Sequence, residues 1–452
     1  SLIDDISMLL SLLGLAFVIG IFGGLYPAFV LSSFRPALVL HSNKSSMGGS
    51  MMFRNILVLV QFSITIGLMI VTGVMYGQTV YATNMDKGYA SENRVVIRGI
   101  TRDELKEKMT SIRTELLNVP GVEDVTFSSD TMPLRNNNNT LVEAPGGTLG
   151  GRVLVEQLRV AYNYFDYYGI KPIAGRVFSE EFASDVYIDP PEVEEGETRA
   201  MLPLNMIINE KAVYMLGFTN PQDAIGKQVK TMYGPDQGSD AMATIVGVVP
   251  NVIFRSAREE VTPILFVRHP GFFNAVHVKL ADDDHQAIVG RIDPVWKSIT
   301  GASDLSLTFV EENIDMLYRG EREQAGMFIF FSLFAIFVAC LGLFGMANFT
   351  AERRTKEIGI RKILGASVFE IVKLLVIQAT KPVLWANLIA WPIAGYLMND
   401  WLQGFSMRME MSTLMMLFFA AGAIAIFIAW ATISVHAFRA ARSNPINAIR
   451  AE

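Results

Sequence analysis

One cysteine, Cys340, serves 452 residues, and it lies inside an apolar run. No disulfide can therefore brace any part of the chain, and each folded part has to rest on its own core. The chain also lacks G-x-x-x-x-G-K-[ST], so no phosphate-cradling loop is encoded. H-E-x-x-H, C-x-x-C and G-x-S-x-G are missing too, which removes the common zinc, redox and serine-nucleophile signatures. The five histidines, His41, His269, His277, His285 and His436, are scattered rather than spaced as ligands; His277 reads as a strand side chain. No cofactor or metal is expected in this chain, and no catalytic residue. Basic density is lacking as well: net charge is −6, without the concentrated positive face that nucleic acid requires.

Long apolar blocks are abundant. Hydrophobic residues make up 51% of the chain and charged residues 18%. The apolar residues gather into runs long enough to cross a bilayer. Charge divides with them. Residues 84–325 hold 24 Lys and Arg against 36 Asp and Glu, while the remainder holds 14 against 8. An acidic domain outside the membrane and basic edges on the cytoplasmic side satisfy both counts.

The densest meeting of charge and apolar runs is Ala351–Glu370, AERRTKEIGIRKILGASVFE. Arg353, Arg354, Lys356, Arg361 and Lys362 mark a cytoplasmic loop. Glu357 precedes Arg361 by four residues, the favourable order for a helical ion pair. Gly365 suits a left-handed C-terminal cap. Ser367 and Glu370 have the spacing of a capping box that starts another helix. Ile358, Ile360, Ile363 and Leu364 add an apolar face. A loop that merely obeys the positive-inside rule needs none of these last features.

The order of the chain then predicts ten segments. Residues 1–34 are a membrane helix and 35–54 a cytoplasmic linker without acids. A second helix covers 55–82, and residues 83–322 form the large outer domain. A third helix covers 323–350, followed by the loop at 351–371. The fourth helix is 372–398, with an outer loop at 399–410, and the fifth is 411–437, with a cytoplasmic tail at 438–452. Five spans are expected. Gln61, Ser63 and Thr65 read as helix–helix hydrogen-bonding groups. Lys381, inside the fourth helix beside Pro382, is the intramembrane polar candidate.

Within the outer domain, Arg94–Arg98, Val122–Ser128, Ala275–Leu280 and Leu305–Val310 read as strands. Thr101–Leu117 and Asp284–Ile299 read as helices. Two β-α-β units thus bracket a long insert, predicting a split ferredoxin-like lobe with a mixed α/β lobe inserted. Asn136–Asn139 with Gly146–Gly151, and the acidic run Glu180–Glu197, read as solvated loops. Glu311–Glu323 reads as a helix running straight into the third span. Pro27–His41 aligns weakly with His436–Arg450, matching Ala28 to Ala437, Phe29 to Phe438 and Pro36 to Pro445. That repeat, with the start at Ser-Leu-Ile, suggests a longer parent whose second copy is seen here.

ERRTKEIGIRKILGAS resembles the signature of the MacB/FtsX-type permeases of ABC transporters. VPGVEDVTFSSDTMP, YFDYYGIKPIAGRVF, INEKAVYMLGF, AIGKQV and VGVVPNVIFRSAREEVTP are similar to recurrent segments of the MacB-type periplasmic domain. The resemblance implies a coupling helix docked on a separate ABC-type ATPase. Glu357, Gly359, Arg361, Lys362, Gly365, Ser367 and Glu370 would lie at or near that contact. ATP and magnesium would sit on the ATPase, and a second permease copy or the upstream repeat would complete the membrane part. A periplasmic or outer-membrane partner and membrane lipid are further expected contacts. The location implied is a bacterial inner membrane, with the large domain in the periplasm and the C-terminus inside. Efflux of peptides or small molecules, or extraction of lipoproteins or lipids, are the expected tasks. The alternative class is a membrane-anchored sensor or scaffold that binds a periplasmic ligand and transports nothing.

Overall fold

The computed structural model describes residues 48–98, 102–133, 138–143, 152–187, 204–232, 241–301, 304–353 and 355–442, together with residues 10, 13, 14, 17, 18 and 21. The helix expected over 1–34, most of the 35–54 linker, the two solvated loops beyond their edges, and both halves of the weak repeat except 436–442 lie outside these residues.

The elements run in this order: α1 (Gly48–Asn84), β1 (Arg94–Arg98), α2 (Arg102–Leu117), β2 (Val122–Ser128), β3 (Asn139–Glu143), β4 (Arg152–Arg159), α3 (Tyr164–Tyr168), β5 (Ala174–Gly175), β6 (Leu204–Asn209), α4 (Glu210–Met215), α5 (Pro221–Ala224) and β7 (Gln228–Thr231). Then follow β8 (Ala241–Val249), β9 (Ile264–Val267), β10 (Ala275–Leu280), α6 (His285–Thr300), β11 (Ser306–Phe309), α7 (Val310–Leu317), α8 (Arg319–Arg353), α9 (Thr355–Ile363), α10 (Val368–Gln403) and α11 (Met411–Arg442). They divide into two compact units. An α/β unit takes Gly67–Phe334 and Trp391–Gly422, and a helical unit takes the rest.

Two sheets build the α/β unit. Four strands form the order β11-β1-β10-β2, every neighbour antiparallel. The outer pair of elements on each side comes from opposite ends of the domain's sequence. Helices α2 and α6 cover one face. Ile288, Ile292 and Trp296 repeat every four residues along α6 and meet Val95, Ile97, Val125, Val276 and Val278 in one buried cluster. Alternation sends Val96, Ala275 and His277 to the other face, where Tyr164 and Tyr168 cover it. Burial on both faces explains why β1 reads as the unbroken apolar run VVI. Asp284 caps α6, its side chain accepting from the Gln286 and Ala287 amides.

Residues 139–267 make the second sheet, in the order β5-β8-β6-β9-β4-β3-β7. A further β7–β8 pairing closes it into a ring, with β5 extending one edge of β8. The β4–β9 and β6–β8 pairs are parallel. Asn209 ends β6 and starts α4; its carboxamide oxygen accepts from the Ala212 and Ile264 amides, tying helix and strand together.

The helix expected over Glu311–Glu323 is interrupted. Helix α7 stops at Tyr318, which has φ −109° and ψ 15°, and α8 starts at the next residue. The Tyr318 hydroxyl accepts from the Ala257 amide, so the break is anchored to the domain. Around it, Arg322 pairs with Asp315, and Arg258 with Glu321 at 2.7 Å. The rod inferred from sequence therefore begins at Arg319.

Three helices among the described residues are long and apolar enough to cross a membrane, over Arg54–Asn84, Arg319–Thr350 and Met411–Val435. They coincide with the second, third and fifth spans expected from sequence. Helix α10, on the expected fourth span, is 36 residues long.

In the α/β unit, the Thr72 and Ser332 hydroxyls bond at 2.8 Å between α1 and α8. In the helical unit, Thr65 donates to its own turn at Gln61 and reaches the Ala335 carbonyl at 3.4 Å. Gln61 fills the space beside Gly342, where a Cβ would lie 2.5 Å from its Oε1. Among the described residues Ser63 bonds only within α1, to the Leu59 carbonyl. Thr72→Val should cost about 0.6 kcal/mol, the usual worth of such a bond between membrane helices. A melting shift of several degrees in the Thr72→Val protein would contradict this.

Candidate functional site

The loop read as the organising stretch folds as a helix, a turn and a helix start. Helix α9 is TKEIGIRKI, with Glu357 in its first turn and Arg361 and Lys362 in its last. That placement suits the helix dipole at both ends. Glu357 and Arg361 form the expected pair at 2.8 Å, both nearly half exposed. Such a pair adds little stability and mainly sets side-chain direction.

Gly365 has φ +94°, the left-handed conformation that ends helices. The Ala366 amide donates to the Arg361 carbonyl at 2.9 Å and the Gly365 amide to the Lys362 carbonyl at 3.1 Å. These are the two bonds of a Schellman motif. A β-carbon at 365 meets no neighbour, so the glycine is required by backbone conformation rather than by space.

The capping box follows at once. Glu370 accepts from the Ser367 amide at 2.8 Å and from its hydroxyl at 3.0 Å. The Ser367 hydroxyl oxygen accepts from the Glu370 amide at 3.3 Å. The bonds from the Ser367 amide and hydroxyl hold the Glu370 carboxyl below its usual range. Ser367→Ala should cost about 1 kcal/mol of local helix stability. Faster amide exchange confined to the first turn of α10 is the expected readout.

The apolar face is the least expected feature. Only Ile358 is buried, at 9% exposure; Ile360, Ile363 and Leu364 stand 56%, 63% and 81% exposed. Phe369 adds a fourth exposed apolar side chain, at 75%. Phe369 was not among the apolar residues picked out from the sequence. Its position between Ser367 and Glu370, whose side chains are occupied by the cap, was the available signal. Nothing of the Gly359 surroundings is described. Lys381 is exposed on α10, about 16 Å along the helix from Glu370, and does not join the loop.

Elsewhere, His277 is fully buried on β10. Its Nε2 bonds the Ser128 hydroxyl at 2.7 Å and its Nδ1 the Tyr168 hydroxyl at 2.8 Å. Ser128 itself donates to the Asp130 carbonyl, so Nε2 carries the proton and Nδ1 accepts from Tyr168. Burial pushes His277 down to about 3. A neutral, enclosed histidine locked at both nitrogens is a tie between β2, β10 and α3, not a base. Among the described residues no group of three or more His, Cys, Asp or Glu could hold a metal.

Long apolar helices and a capped, cation-bearing loop are the features of a membrane-spanning α-helical protein. Residues 329–445 match the family model described as FtsX-like permease C-terminal. The match covers the loop from which the resemblance to the MacB/FtsX-type permeases was drawn, and supports it. No curated protein matches the chain.

Three solved structures overlap about half of it. The periplasmic region of MacB from Actinobacillus actinomycetemcomitans is 13% identical, with a TM-score of 0.33, covering 52% of this chain and 95% of that one. The extracellular domain of the noncanonic ABC-type transporter YknZ from Gram-positive bacteria is 14% identical, with a TM-score of 0.29, covering 46% and 94%. A domain of a putative permease protein from Porphyromonas gingivalis is 13% identical, with a TM-score of 0.29, covering 48% and 89%.

Proposed function

We propose that this chain is the permease subunit of an ABC transporter, and that the loop from α9 to the start of α10 is the docking surface for a separate ATPase. The observation that carries the proposal is the exposed apolar set Ile360, Ile363, Leu364 and Phe369, held in fixed geometry by the Gly365 turn and the Ser367–Glu370 cap. Exposed apolar side chains on a rigid loop favour a partner that covers them. Arg361 and Lys362 flank them and would select an acidic rim on that partner. The chain itself contributes no phosphate-binding loop, so ATP and magnesium belong to the ATPase.

On this reading, ATP binding closes the ATPase subunits against the loop. The movement passes into α8, which starts at the Tyr318 break. The work is done on a cargo outside the membrane, by efflux of peptides or small molecules or by extraction of lipoproteins or lipids. We read the four-stranded sheet with α2 and α6 as the split ferredoxin-like lobe, on the strength of its strand order, and the closed seven-stranded sheet as the inserted lobe. A second copy of the permease, or an upstream repeat, would complete the membrane part. The location we infer is a bacterial inner membrane; the cations of the loop support a cytoplasmic side for it and for the C-terminus.

The test is a mild-detergent purification from native membranes on a tag after Glu452, followed by mass spectrometry. A stoichiometric ATPase with its own phosphate-binding loop is the expected companion. An intact preparation without one would leave the sensor or scaffold class as the better reading.

A further inference from the structure

In the helical unit, α1 and α8 leave a groove of about 510 Å³ between them. Both helices are long and apolar enough to cross a membrane. The medium this groove meets is therefore lipid rather than water. Its two ends differ. At one, Gln61 stands against Gly342, where a β-carbon would lie 2.5 Å from its Oε1, and closes the groove. At the other, about 10 Å along α1, the Arg54 guanidinium lies 3.7 Å from the centre of the Phe349 ring, which sets its plane at the mouth. Leu57, Val58, Leu341 and Met346 make the walls. Gly345 leaves a gap in them, since a β-carbon there meets no neighbour within 4 Å.

The mouth is cationic whichever ion pairs form there. Just beyond Phe349 the sequence carries Arg353, Arg354 and Lys356 against one acid, Glu352, and Arg54 adds a further cation. Residues 35–54, which lead into α1, contain Arg35, Lys44 and Arg54 and no acid. A second copy of this chain, or its own first helix, would bring more cations of the same kind to the mouth, at a cost. A phosphate answers them, and basic sites between membrane helices suit anionic headgroups. We propose that the groove holds one anionic phospholipid, its phosphate at Arg54 beside the exposed Asn348 and an acyl chain along Leu57, Leu341 and Met346. The proposal is independent of the ATPase reading: a resident lipid of this kind serves a transporter or a sensor alike.

The probes are dioleoyl phosphatidylglycerol and dioleoyl phosphatidylcholine, added to the delipidated full-length protein in detergent and read by native mass spectrometry. Phosphatidylglycerol should stay on as a one-to-one adduct under activation that strips phosphatidylcholine. Arg54→Gln should reduce that preference about fivefold, the worth of one cation beside a phosphate. Gly345→Leu, whose side chain enters the gap, should lose the adduct without a fall in melting temperature. If that variant does not fold, Arg54→Gln decides alone. Lys381→Gln removes an exposed cation on α10, outside the groove, and should change neither adduct nor preference. Absence of an adduct on the native protein would overturn the proposal and leave the groove to another helix. Phosphatidylcholine held as well as phosphatidylglycerol would overturn it too, as would an adduct that survives Gly345→Leu. So would a preference untouched by Arg54→Gln, or one lost as far in Lys381→Gln.

Discussion

Moving the protein from pH 7.5 to pH 4.5 should remove about 2–3 kcal/mol of α/β-unit stability through His277 alone. In the unfolded chain a histidine titrates near 6.5. In the folded protein His277 is pushed down to about 3, first by burial, with Arg98 acting in the same direction and the Asp130 backbone opposing. Between those two values the unfolded chain binds a proton that the folded chain does not. Stability therefore falls as pH falls through that window, and is fully present above 6.5. The structural cause is specific. Protonating Nδ1 would give His277 two donors where Tyr168 already donates, inside a cluster that includes Tyr164 and Tyr167 and has no access to water.

His277→Gln isolates this contribution from that of the carboxylates. Thermal melts of the full-length protein followed by near-ultraviolet circular dichroism should show the native melting temperature falling, between the two pH values, by roughly 5–10 °C more than that of the variant. Parallel falls in the two proteins would show that His277 carries a proton in the fold after all.

How far this node was legible in the sequence can be stated from its parts. The strand AVHVKL was readable, since alternation and β-branching mark it, and β10 occupies Ala275–Leu280 as expected. The partners of His277 were not. Ser128 closes β2, about 150 residues earlier, and Tyr168 lies on a five-residue helix after β4. Only the antiparallel register, Thr126 opposite His277 and Ser128 opposite Ala275, brings the hydroxyls to the ring. Long-range pairing of this kind leaves no local signal.

The same contrast runs through the membrane helices. The apolar runs announce themselves. The bonds between helices do not: Gln78 looks like a stray polar residue, yet it donates to the Met407 carbonyl at 2.8 Å and accepts from the Met409 amide at 2.9 Å. It is fully buried and fastens the outer loop to α1. The break at Tyr318 was hidden for a related reason. Its sequence neighbours favour helix, and the Ala257 amide that anchors the tyrosine comes from 61 residues upstream. The cap and turn of the loop, by contrast, involve residues at most five apart, so Glu357 with Arg361, Gly365, and Ser367 with Glu370 could all be read directly.

Replacing Leu364 and Phe369 together with aspartate should release the partner ATPase while leaving the permease folded. The two side chains are 81% and 75% exposed, and neither supports the core of its own chain. Exposed substitutions of this type usually change stability by no more than about 0.5 kcal/mol. Neither residue supplies a hydrogen bond of the cap, which rests on Ser367 and Glu370, nor the left-handed turn, which rests on Gly365. If they are the anchors of the docking surface, each contributes on the scale of an interface hot spot, about 2 kcal/mol or more. Together they should weaken the complex by at least about a thousandfold. Co-purification from native membranes and stimulation of ATP hydrolysis should both disappear.

Reversing the charges in Arg361→Glu with Lys362→Glu addresses a different part of the same surface. Rim charges chiefly govern association rate and its salt dependence, so this variant should bind more slowly and lose the native sensitivity to salt. Lys381→Gln, in a helix position remote from the loop, should leave both readouts unchanged. The decisive comparison is between the apolar pair and Lys381. An ATPase that stays at native stoichiometry on a Leu364→Asp, Phe369→Asp permease would mean that the exposed face of α9 and the start of α10 meets something other than a protein. The headgroup layer of the membrane would then be the surface that covers it, since an amphipathic helix bearing Arg361 and Lys362 is suited to lie there.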